Sequence, residues 1–371
     1  MESVIPAVPI NTAVLVAKIE AHTAQRCQLV PWWQGSHHMV YLATLLPSNE
    51  RHVVRIDAPC FRPLGSGLTP PSKMRSEIAT LKYVRQHSSI PVPDVIYHNL
   101  DDEGAVGGEW MMMEYIPGVP LMEKWPTMTG EQREEICLKI SRIWGQLLSM
   151  RFPSVGSLYE APSSGPADST VIVGPTTFYP SAKANRTAPP DPSRCGPFTS
   201  LRQWLLAIAR RDMAFGDPEP LSEVHRARMA AVVADIEAAP AALFADEHTG
   251  ARADADATSA IVLEHIDLMP HNVLVAPDAP TDVLGIIDWE GARTVPLWAV
   301  QPMFLEQDLE GYADYVALIK RTLCALVPQW EAAQNGDECR EVRRLYLRAR
   351  LSLFDPATFH PDEIIWSFNP N

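Results

Sequence analysis

Three early runs, residues 29–33, 39–46 and 52–56, are short, apolar-rich and partly alternating, the pattern of half-buried strands. Gln34, Gly35, Ser36 and His37 separate the first two, so a turn within a small antiparallel sheet is expected. The period then changes. Across 72–87, Met74, Ile78, Leu81 and Val84 recur at helical spacing, and Pro91 and Pro93 close the segment. Residues 110–116 read as a further strand running into Pro117 and Gly118. Thr129 and Gln132 have capping-box spacing ahead of the stripe Ile136, Ile140, Ile143, Trp144 and Leu147, which predicts a long helix. Residues 153–200 are rich in Pro, Ser and Gly around one apolar run at 171–173, and predict an ordered insertion with short strands. Helices are expected after Ser200, over 221–238, over 305–327 and over 340–354, with a solvated acidic loop at 246–258. Two short apolar runs, 273–275 and 283–287, read as paired strands.

At 371 residues the chain is long enough for two lobes or two modest domains. Its net charge of −14 disfavours nucleic acid or an anionic membrane surface as principal partner. The six cysteines are widely separated, without Cys-x-x-Cys spacing, and read as reduced structural thiols. No run approaches the ~18 apolar residues of a membrane span, and the first residues lack a secretory pattern. A cytoplasmic location is expected.

The paired strands carry the candidate chemistry. Asp267 lies on a loop bent by Pro270, Asn272 opens the first strand and Asp288 ends the second, so hairpin pairing would gather all three. Two carboxylates and a carboxamide are hard oxygen ligands suited to Mg²⁺, which is commonly shared with substrate phosphates. The plain alternative is that Asp267 and Asn272 are turn residues bonding their own backbone.

His265-x-Asp267-x-x-x-x-Asn272, strand, turn, strand, Asp288 resembles the catalytic loop and metal-binding Asp of kinases. With Trp289 next, the chain resembles the aminoglycoside phosphotransferase and choline-kinase-like family, including fungal-type members with a similar insertion. The resemblance implies an α+β, two-lobed, protein-kinase-like fold. Residues 1–116 would form an N-lobe of small antiparallel sheet with one helix, and 117–371 a larger, mainly helical C-lobe. Gly35, Ser36 and His37 would cover nucleotide phosphates, although an ordinary hairpin turn explains them equally well. Arg55 would contact phosphate and pair with Glu77; protein kinases have Lys at that position, and a surface Arg55–Glu77 ion pair is the alternative. Backbone groups from Glu114 to Ile116 would meet the adenine beside a methionine-rich strand.

The implied function is Mg-assisted transfer of phosphate from ATP to a hydroxyl of a small molecule, with Asp267 as base and Asn272 and Asp288 holding Mg²⁺. His265 would support the loop through backbone hydrogen bonds; acid catalysis is its other reading. No Ser/Thr-rich segment ending in Ala-Pro-Glu follows Trp289, which favours a small acceptor over a protein. Two alternatives stay open: a repurposed kinase fold doing cyclase- or lyase-type chemistry, and nucleotide-independent binding. Neither the acceptor nor the oligomeric state is legible.

Overall fold

The computed structural model describes residues 10–34, 38–57, 73–100, 105–162, 170–177, 194–210, 223–247, 258–300 and 309–351. The expected turn at Gly35, Ser36 and His37, and most of the expected 246–258 loop, lie outside them.

Helix α1 (Thr12–Thr23) begins at Asn11, whose side-chain oxygen accepts the Val14 N–H, and precedes strands β1 (Arg26–Gln34), β2 (Met39–Leu46) and β3 (Arg51–Asp57). Helix α2 (Lys73–His87) follows, then β4 (Val95–Asn99) and β5 (Glu109–Glu114). The five strands form one antiparallel sheet in the order β1-β2-β3-β5-β4. Alternation along β5 sends successive side chains to opposite faces. Trp110 and Met112 join Leu15 and Ile19 of α1, with Tyr41, Val54 and Ile56, in one core. Met111 and Met113 join Met74 and Ile78 of α2 in another. The expected helix α2 thus covers one face and α1 the other. The expected strand 110–116 stops at Glu114, where its pairing with β3 ends opposite His52 and that with β4 has already ended at Met113.

The connection 115–118 leads to β6 (Val119–Pro120), α3 (Leu121–Lys124) and α4 (Gly130–Leu147). Both bonds of the Thr129/Gln132 capping box form, and Ile136, Ile140, Trp144 and Leu147 of α4 are buried. The insertion contains β7 (Ser157–Glu160) and β8 (Val171–Gly174), paired antiparallel as expected. Helices α5 (Leu201–Arg210) and α6 (Glu223–Ala238) precede β9 (Ile261–Glu264), β10 (Val273–Val275), β11 (Val283–Ile286) and β12 (Arg293–Pro296). Helices α7 (Ala313–Leu326), α8 (Pro328–Asn335) and α9 (Asp337–Leu351) complete a helical lobe. Its large buried cluster includes Trp204 stacked on Tyr346 at 5.2 Å.

Two small pairings set up the site. β10 lies between β11 and β6, with Val273 opposite Ile286 and Leu274 opposite both Gly285 and Pro120. A Cβ at Gly285 would meet the tip of the Ile116 side chain, so the connection from the small sheet lies close against the hairpin here. β9 pairs with β12, placing Glu264 opposite Arg293, and these two join at 2.7 Å in a largely buried ion pair. Among the described residues the five cysteines are free thiols, and no helix is long and apolar enough to cross a membrane.

Candidate active site

The β10–β11 hairpin does for Asn272 and Asp288 what its spacing predicts. Ile287 N–H donates to the Asn272 carbonyl at 3.0 Å, so the residues flanking the two strands lie side by side. Asn272 closes a short 3₁₀ turn (Pro270–Asn272), with Pro270 at its first position, immediately ahead of β10, which has the expected bounds 273–275. Its amide donates to the Asp267 carbonyl at 2.7 Å and to Asp267 Oδ2 at 3.0 Å. Asn272 is buried, whereas the Asp267 and Asp288 side chains are 36% and 37% exposed. The polar group that fixes the loop is hidden, and the two carboxylates face outward.

His265 ties the two halves together. Its Nδ1 accepts the Asp267 N–H at 3.2 Å, so the ring proton sits on Nε2 and is donated to the Ile287 carbonyl at 3.1 Å. Burial holds its pKa below the usual histidine value. His265 is therefore a neutral brace between the Asp267 N–H and the carbonyl of Ile287, the residue before Asp288. His271 Nε2 lies 3.3 Å from Asp267 Oδ2, and this hydrogen bond raises the His271 pKa. Asp288 has φ +62°, a left-handed backbone conformation that Asp tolerates better than most residues.

Arg55 and Glu77 also meet, and not at the surface. Arg55 is 9% exposed, Glu77 2%, and Nη1 donates to Glu77 Oε1 at 2.5 Å. The other end of the guanidinium, Nη2, lies 3.1 Å from Asp288 Oδ1, 3.1 Å from Glu290 Oε2 and 3.0 Å from His38 Nδ1. Lys73 Nζ pairs with Glu290 Oε1. Burial raises the Glu77 carboxyl to about 7, with Arg55 pulling the other way. Glu290 is buried too, but His38, Lys73 and Arg55 together outweigh the desolvation and lower its pKa. His38, Lys73 and Glu290 escaped the sequence reading. The one sequence signal for Glu290 is its place two residues after Asp288.

Of the residues expected at the adenine, Glu114 ends β5 and Ile116 lies in the connection. The Glu114 N–H donates to the Asp94 carbonyl and the Ile116 carbonyl accepts the Gly118 N–H. Among the described residues no hydrogen bond engages the Ile116 N–H, so it is the group of this pair suited to a base. Trp32 and Tyr115 lie 5.6 Å apart, and the Arg51 guanidinium sits 3.9 Å over the Tyr115 ring.

A five-stranded sheet carrying an Arg–Glu pair, linked to a helical lobe whose hairpin presents Asn272 and Asp288, defines a two-lobed kinase-like phosphotransferase fold. The chain belongs to the phosphotransferase enzyme family, whose model matches residues 41–299, more than half of its length. A structure described as a putative aminoglycoside phosphotransferase from Ralstonia eutropha superposes with a TM-score of 0.50 at 14% identity, covering 92% of this chain and 88% of that one. At that identity the likeness concerns the fold alone. A subtelomeric hrmA-associated cluster protein of Aspergillus fumigatus is 24% identical over 271 residues, 63% of this chain and 53% of the relative. Altered inheritance of mitochondria protein 9, mitochondrial, of Yarrowia lipolytica is 28% identical over 199 residues, 52% of this chain and 33% of the relative. The chain thus spans about half or less of these relatives' lengths.

Proposed function

We propose that this chain transfers the γ-phosphoryl group of ATP to a hydroxyl of a small molecule. The observation that carries the reading is the convergence of Asp267, Asn272 and Asp288 on one braced hairpin. Asp267 Oδ2 is held by Asn272 and His271, which leaves Oδ1 to orient an acceptor hydroxyl and take its proton. The acceptor oxygen forms a bond to the γ-phosphorus as the bond to the β-phosphate oxygen breaks, and the electron pair leaves with ADP. The donor set fits Mg²⁺: Asn272 spends its NH₂ on Asp267 and retains Oδ1, and the Asp288 carboxylate is exposed. When bound there, Mg²⁺ would supply charge neutralisation to the phosphates. Ile116 N–H would receive the adenine, with Gly35, Ser36 and His37 over the phosphates, and the lobes would divide at residues 116 and 117.

No nucleic acid enters this reading, and the acceptor is a small hydroxylated molecule, in a cytoplasmic setting despite relatives named as mitochondrial. One observation favours the rival reading of nucleotide-independent binding: both ends of the Arg55 guanidinium are already engaged by carboxylates.

Thermal melting with and without millimolar Mg-ATP separates the two, since a ligand of the native state must raise its stability by mass action. The expected result is a clear upward shift, kept in Asp267→Asn, with turnover lost in that variant on a panel of hydroxylated acceptors. Absence of any shift in the wild-type chain would refute phosphotransfer from ATP.

A further inference from the structure

Glu290 is 1% exposed, yet it touches groups from three separate segments of the small lobe. Its Oε1 pairs with Lys73 Nζ at the start of α2, and its Oε2 reaches Arg55 Nη2 on β3 at 3.1 Å and His38 Nδ1, just before β2, at 3.0 Å. Lys73 is itself only 4% exposed. One carboxylate therefore holds a buried ammonium beside the buried guanidinium that contacts Asp288.

Two cations, Arg55 and Lys73, share three carboxylates: Glu77, Glu290 and Asp288. Only Asp288 is substantially exposed, so it is the carboxylate able to leave the cluster for a metal ion. Glu77 and Glu290 then balance the two cations, and the edge vacated by Asp288 presents N–H donors to an incoming anion. An ammonium carries three donors, so holding Glu290 is compatible with meeting a phosphate oxygen as well. Stability alone does not account for the pair, because burying two ions costs several kcal/mol each and apolar side chains of similar volume often serve as well.

We infer that Lys73 is a second polyphosphate-binding cation and that Glu290 is the positioning residue that keeps it beside Arg55. The inference rests on the nucleotide-binding reading above. It adds a cation from the helix start to the one expected from the strand.

The test is calorimetric titration of Mg-ATP and of adenosine into wild type, Lys73→Met, Glu290→Gln and the double variant, with melting temperatures recorded alongside. Each single change strands a buried charge and lowers the melting temperature; the double change removes both and recovers most of it. ATP affinity nevertheless falls at least tenfold in Lys73→Met and stays low in the double variant, while adenosine affinity is unchanged. A double variant with wild-type preference for ATP over adenosine would make the pair merely structural and overturn the inference. Should the double variant not fold, Lys73→Arg against Lys73→Gln decides: Arg retains ATP affinity and Gln loses it, and equal affinity of the two overturns the assignment. A wild-type chain that binds adenosine but not Mg-ATP more tightly overturns the inference while leaving a nucleoside site, whereas a chain that binds neither removes the functional reading with it.

Discussion

Replacing Arg55 with Lys restores the residue usual in protein kinases, and the structure makes it a damaging change. The guanidinium reaches Glu77 with one terminal nitrogen and Glu290 and Asp288 with the other. An ammonium is a single point and holds one side only. Glu290 retains Lys73, so the carboxylate left bare is Glu77, whose Oε2 already has no hydrogen-bond partner among the described residues. Losing a charge-assisted bond to a buried carboxylate costs about 1.5–3 kcal/mol. Glu77 has an escape, however, because burial already lifts its pKa from 4.5 to about 7, and without Arg55 it rises further. The sign follows from linkage: a carboxyl raised in the folded state costs stability as pH climbs through its folded pKa, and the variant carries this cost further. Near pH 5.5 both proteins hold Glu77 protonated and differ little; by about pH 9 the variant is weaker by the full amount. With a urea slope of about 3 kcal/mol/M, that is a fall in midpoint of roughly 0.5–1 M at high pH. Urea unfolding at the two pH values measures it, and an equal midpoint difference at both would refute the role given to Glu77.

Two further outcomes are expected. His265 is held neutral by burial, so it binds a proton less readily folded than unfolded; its contribution to stability is full above the ordinary histidine pKa and declines as pH falls through the lowered one. In proton NMR its ring signals should stay fixed while exposed histidines titrate, and a His265 midpoint at or above 6.5 would contradict the brace. Gly156→Ala places a Cβ 2.2 Å from the Gly174 carbonyl, where Gly156 also bonds Thr294, so the insertion must shift off β12 at a cost of about 2 kcal/mol, read as a lower urea midpoint; an unchanged midpoint would contradict that contact.

Where pattern alone decides structure, the sequence was enough. β10 and β11 are short apolar runs around a turn, so their pairing and the bond from the Ile287 N–H, next to Asp288, to the Asn272 carbonyl follow from local spacing. The Thr129 cap and the α4 stripe are likewise local. The Arg55–Glu77 pair needed the order of motifs, since neither residue marks itself as buried. His38, Lys73 and Glu290 were illegible because a lone charged side chain reads as solvated. They are buried where segments distant in sequence meet, Glu290 touching His38, Arg55 and Lys73, and that packing is tertiary. The Ile116 contact with Gly285 was hidden for the same reason.

The site separates the groups assigned to react from those that hold them. Asp267 and Asp288 are exposed by more than a third, and each is fixed from beneath by buried partners: Asn272 and His265 for the first, Arg55 for the second. Most of the holding is done by backbone and carboxamide bonds rather than by anything an acceptor would touch. In the proposed reaction the acceptor would be met by groups outside the braced hairpin, which is why the hairpin is legible in 30 residues and the acceptor is not. Arg55 is the exception, because its partner Asp288 is also the metal carboxylate in the proposed reaction. In that reaction Mg²⁺ on Asp288 would compete with Arg55 Nη2 for Oδ1 of the carboxylate, which would couple metal binding to the set of the small lobe through one guanidinium.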